Sequence, residues 1–73
     1  MYKKTVYKYL RDCTTYYSRE KVVNDFMEDI ANCRPVNVRK NKKSFSVFFN
    51  DGKFQVRYTL PLEYKKYIVK GGM

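Results

Sequence analysis

A chain of 73 residues has room for one domain and no more. Its formal charge is +9, from 16 Lys and Arg against 7 Asp and Glu, which points to polyanions or acidic surfaces as partners. It has no histidine and only two cysteines, which removes the commonest general base and leaves no ligand set for a structural zinc.

The hydrophobic fraction is 44%, and much of it is aromatic: 8 Tyr and 5 Phe. Each ring buries roughly 150–250 Å², so a small core can be built from few side chains, and a folded domain is expected. Phe, Tyr, Met, Ile, Asn and Lys supply 34 residues, whereas Gly, Ala, Arg and Pro supply 11. That bias fits an AT-rich bacterial, phage or plasmid genome. No run of about 18 apolar residues could span a membrane, and the N-terminus lacks the apolar stretch of a signal peptide. A cytoplasmic protein with no membrane partner is expected.

Taken in chain order, the first segment repeats apolar residues at helical spacing: Tyr2, Val6, Tyr9, Leu10 and Cys13. Read as a strand, it would put Lys4 and Lys8 on the same face as Val6 and Leu10. A helix over residues 1–12 is therefore expected, with Lys4, Lys8 and Arg11 in a row on its polar side.

A second helix is expected from Ser18 to Cys33. Val22, Val23, Phe26, Met27, Ile30 and Cys33 gather on one side of a helical wheel. Ser18 is suited to cap its N-terminus, and Pro35 ends it. Asp25, Glu28 and Asp29 read as a solvated face opposite Lys21 rather than a Mg²⁺ site. With helix one folded back on helix two, Cys13 and Cys33 stand about 22 Å apart at 1.5 Å per residue. They are expected as reduced, partly buried thiols, too distant for a disulfide.

A three-stranded antiparallel meander follows, near residues 36–40, 43–49 and 54–60. Asp51-Gly52 is a tight-hairpin signal, since both loop positions must tolerate positive φ. That loop pairs Phe49 with Phe54, Val47 with Val56, and Phe45 with Tyr58. A turn at Asn41-Lys42 places Val38 opposite Phe45 and Val36 opposite Val47. All of these share one apolar face, on which the helices are expected to pack. Pro61 to Lys70 reads as a short C-terminal helix, with Tyr67-Ile68-Val69 as the competing strand. The expected fold is thus α+β: one or two N-terminal helices on a three-stranded meander, closed by a short helix or strand.

Charge is uneven along the chain: +3 over residues 1–17, −1 over 18–34, +5 over 35–60 and +2 over 61–73. The solvent side of the meander carries Asn37, Arg39, Ser44, Ser46, Phe48, Gln55, Arg57 and Thr59. An aromatic among cations on an open sheet is a way to hold single-stranded nucleic acid. Phe48 is either a stacking platform or covered by the C-terminal segment or a second subunit. Arg39 and Arg57 flank it, and Lys40, Lys42 and Lys43 form a basic corner. With Lys4, Lys8 and Arg11, these are the candidate nucleic-acid contacts.

No phosphate-cradling glycine loop and no activated thiol nucleophile is present, so binding rather than catalysis is expected, with no cofactor or metal. The first functional expectation is a small non-catalytic accessory protein that binds DNA or RNA. The alternative is a protein-binding inhibitor or modulator of a host protein. It would dock on an acidic surface through Tyr7, Tyr16, Tyr17, Tyr64 and Tyr67, since Tyr and Arg are enriched at interface hot spots. A homodimer is compatible with either.

Overall fold

The structure, a computed structural model, describes residues 1–8, 12–52 and 54–71. The amphipathic segment after Ser18 is helical, as expected, over Arg19–Asn32 (α1). Ser18 sits in extended backbone and its Oγ accepts from the Lys21 N–H, satisfying one of the first-turn donors left over by helix geometry. The helix stops at Cys33, whose backbone is extended just ahead of Pro35.

Five strands surround this helix in sequence: β1 (Lys3–Tyr7), β2 (Cys13–Tyr16), β3 (Asn37–Lys40), β4 (Ser44–Asp51) and β5 (Phe54–Pro61). They form one antiparallel sheet in the order β2-β1-β5-β4-β3. A 3₁₀ turn (Leu62–Lys65) and a short helix, α2 (Lys66–Gly71), follow β5, so the competing strand at Tyr67-Ile68-Val69 does not form.

The helix expected over residues 1–12 is the main correction. Lys3–Tyr7 and Cys13–Tyr16 pair with one another, and β1 then docks along β5, turning the expected three-stranded meander into a five-stranded sheet. Helical spacing misled because Lys4 does face the core side together with Val6, where local patterning forbids a charge. Its ammonium is accommodated by a partner 21 residues away: Lys4 Nζ donates to Asp25 Oδ2 of α1 at 2.7 Å. The aliphatic stem lies among aromatic rings, with Nζ 5.6 Å from the centroid of Tyr58 and 5.9 Å from that of Tyr16. Tyr9, Leu10 and Arg11 lie outside the described residues.

The meander is present, but each register is two residues away from expectation. The hairpin closes on Asp51↔Phe54, so Phe49 pairs with Val56, Val47 with Tyr58 and Phe45 with Leu60. Gly52 opens the connection at φ 61°, a conformation in which a side chain is strained. On the other side Val38 pairs with Val47 and Lys40 with Phe45, and Val36 falls just outside β3. A slip of two preserves the pleat, so the apolar residues still share one face.

That face is the core. Val22 and Phe26 of α1 meet Phe45, Val47, Phe49, Val56, Tyr58 and Leu60 of the sheet, with Ile68 of α2 closing one end. Phe26 packs edge-on against Phe45 and Tyr58, with centroids 6.1 and 5.7 Å apart. Met27, expected on the apolar side, is exposed at the margin of the helical stripe. Tyr58 keeps its hydroxyl satisfied by donating to Asp29. Burial, reinforced by that carboxylate, pushes its phenol far above the usual pKa, so it is a permanent donor.

Candidate nucleic-acid interface

Because side chains alternate along a strand, the pairing above assigns the second sheet face without ambiguity. One row runs Thr15, Thr5, Arg57, Phe48, Asn37 across the five strands. The next runs Lys3, Thr59, Ser46, Arg39. Both helices contribute to the core on the opposite side, so this face is uncovered among the described residues. C-terminal coverage of Phe48, one of the readings of the sequence, does not occur there.

At the centre of the face, Phe48 stands between two arginines. Arg57 is its direct cross-strand partner on β5, and Arg39 approaches diagonally from β3. Their guanidinium carbons lie 5.5 and 5.8 Å from the ring centroid. The two come from strands on opposite sides of β4, so the ring is flanked by cations from both neighbouring strands. Beside this sandwich, Ser46 and Thr59 are 4% and 9% exposed and their hydroxyls lie 3.2 Å apart, forming a polar floor. Thr5 and Thr15 form a second, longer hydroxyl pair at 3.4 Å.

The electrostatics are one-sided. The strand positions on this face include Lys3, Arg39 and Arg57 and no carboxylate. The ion pairs among the described residues are Lys4–Asp25 and Lys21–Asp25, on the helix side. Arg57 Nε is shut off from solvent and finds no acceptor among the described residues. That N–H has lost water without gaining a partner, and no carboxylate among the described residues pairs with the cation.

The remaining candidates are scattered. Lys4 is committed to Asp25, and Lys8 is an exposed residue just beyond β1, so these two do not form the expected helical row, and Arg11 lies outside the described residues. Lys40 falls in the rank that faces the helix side but is exposed at the sheet edge, while Lys42 and Lys43 are exposed in the β3–β4 turn. Tyr7 lies on the open face and is half-buried beside Gln55. Tyr16 faces the helix, with Lys21 Nζ 4.7 Å from its centroid. Tyr64 packs edge-on against Tyr2 and beside Tyr67. Tyr17 and Tyr67 remain 67% and 38% exposed, so the tyrosines do not form one patch.

Lys3, Thr5 and Thr15 were missed by sequence reasoning because their contribution depends on β1 joining the sheet. The signal available was the Lys3-Thr5-Tyr7 alternation, which the helical spacing of Tyr2, Val6, Tyr9, Leu10 and Cys13 masks. Cys13 is exposed and Cys33 half-buried, both as free thiols, so the expectation of partial burial fails for Cys13. Asp25 and Asp29 are engaged by Lys4, Lys21 and Tyr58, and the described residues contain no cluster suited to a metal ion. No helix among them is long and apolar enough to cross a membrane. Comparison with protein-family models, with curated proteins and with solved structures returns no match for this chain.

Proposed function

We propose that this protein binds nucleic acid, without catalysis, on the open face of its sheet. The observation that carries the reading is the Arg39–Phe48–Arg57 sandwich, set on a face whose strand positions bear cations and no carboxylate. Strand polarity supports it too: the Lys3 to Arg39 row crosses four strands, roughly 14 Å at 4.8 Å per strand, and leads towards the Lys42-Lys43 corner. A flexible single strand can follow such a track, whereas a rigid duplex meets a sheet surface with fewer phosphates.

Counterion release makes the reading quantitative. Three neutralised phosphates on a single strand correspond to a log–log salt slope of about −2, and six, with Lys40, Lys42 and Lys43 included, to about −4. Between 50 and 200 mM salt, affinity then falls roughly 20-fold in the first case and several hundredfold in the second. Fluorescence anisotropy with labelled single- and double-stranded DNA and RNA measures this directly. Binding that persists near 150 mM salt and loses about one unit of slope or more in an Arg39→Ala/Arg57→Ala variant supports the proposal. Absence of binding at 50 mM refutes it.

The second reading, docking on an acidic protein surface, rests on the exposed Tyr17 and Tyr67. It predicts that Tyr17→Ala/Tyr67→Ala abolishes capture of a partner that the double arginine variant still binds.

A further inference from the structure

The same site, on the nucleic-acid reading above, admits a sharper statement. We propose that it grips the phosphodiester backbone rather than a base, and that Phe48 is a positioning residue holding two arginine forks in place, not a stacking platform.

Three observations lead there. First, two guanidinium groups already crowd the Phe48 ring, Arg39 from β3 and Arg57 from β5, with their carbons 5.8 and 5.5 Å from its centroid. A base stacking on the ring competes with these cation–π contacts. Second, the charge of Arg57 is under-neutralised: its Nε is buried without an acceptor, and no carboxylate pairs with either arginine among the described residues. Guanidinium forks match phosphate oxygens two at a time, and a fork already held in place loses less freedom on binding. Third, the floor beside the sandwich is built of hydroxyls. Ser46 lies opposite Arg39 in the ladder, and Thr59 lies two residues beyond Arg57 on the same face. One hydroxyl hydrogen is spent between Ser46 and Thr59, and the pair lies buried as a polar floor beneath the cations. Cations above a hydroxyl floor form a seat for a phosphate.

The test compares a single-stranded oligonucleotide with an abasic strand of the same length, while the Arg39 and Arg57 Nε–Hε resonances are followed by NMR. Pyrophosphate serves as a third probe. The abasic strand is expected to bind within about threefold of the base-containing one, and all three ligands are expected to shift both arginine resonances. Phe48→Leu, which keeps apolar bulk but lacks a π face, is expected to collapse the dispersion of the arginine resonances and to weaken both strands five- to tenfold. Phe48→Tyr is expected to restore both readouts, and the melting temperatures of the two variants control for folding. If the abasic strand binds tenfold or more weakly, the scale of a lost base stack, the backbone proposal is overturned while the nucleic-acid reading stands. Unchanged arginine resonances in Phe48→Leu overturn the positioning role. If neither strand binds, both readings fall together, whatever pyrophosphate does.

Discussion

Replacing Lys4 by Met separates a strand packed under α1 from a solvated helix more cleanly than any other single change. Methionine keeps most of the aliphatic stem, so the packing against Tyr58 and Tyr16 survives and the charge alone is removed. The partner, Asp25, is then left with Lys21, which lies at 3.2 Å and is 45% exposed. Exposed ion pairs are worth about 0.2–1 kcal/mol, whereas breaking a buried one costs about 3–5 kcal/mol. With side chains 15% and 25% exposed, the Lys4–Asp25 pair falls between these cases, so a loss of about 1–2 kcal/mol is expected. In a domain of this size that lowers the melting temperature by roughly 5–15 °C. Thermal melts followed by circular dichroism measure it. A double-mutant cycle with Asp25→Asn isolates the pair and should return a coupling of about 1 kcal/mol. A Lys4→Met protein melting within about 2 °C of the parent, with additive double-mutant behaviour, would refute the reasoning, because a charge on a solvated helix face behaves that way.

Acid sensitivity follows from the same residue. Burial pushes the Asp25 carboxyl up, but hydrogen bonds from Lys4 and Lys21 outweigh it and hold the group below its usual range. A depressed carboxylate contributes stability that is complete above its unfolded pKa of about 3.9 and is lost as pH falls through the folded value. Urea midpoints measured from about pH 6 to about pH 2 should therefore drop steeply at the acid end, and Lys4→Met/Lys21→Met should flatten that limb. At the β4–β5 connection, Gly52→Ala is expected to cost about 1–2 kcal/mol. Nothing lies within 4 Å of the added methyl, so the penalty is purely conformational, and Gly52→Asn should recover part of it in the same melts.

What could be read from the residues in order was whatever local chemistry decides. The α1 stripe, its Ser18 cap and its stop before Pro35 are all contained between Ser18 and Pro35. The alternation in β4 and β5 assigned Ser46, Phe48, Arg57 and Thr59 to one face, and the pleat kept that assignment correct although both turns lie one residue further along, which shifts every pairing by two. The N-terminal arm was misread for the opposite reason. The patterning violation at Lys4 is resolved by Asp25, and no window of a few residues contains both. The candidate site inherited this split: its Arg39, Phe48 and Arg57 centre was visible locally, while Lys3 joins it only through pairing with β5.

The order β2-β1-β5-β4-β3 also governs when the sheet can assemble. Its central strand, β5, is the last to be synthesised, and the register that joins the two halves pairs Lys3 with Thr59. Contacts between residues so far apart in sequence slow folding, because a long loop must close before they are rewarded. On the ribosome, where chains grow at about 5–20 residues per second, the N-terminal hairpin waits several seconds for a strand to lie against. During that interval the edge of β1 that later pairs with β5 is open to other chains. Any factor that shields the nascent arm would therefore raise the yield of folded protein without changing the stability of the finished sheet.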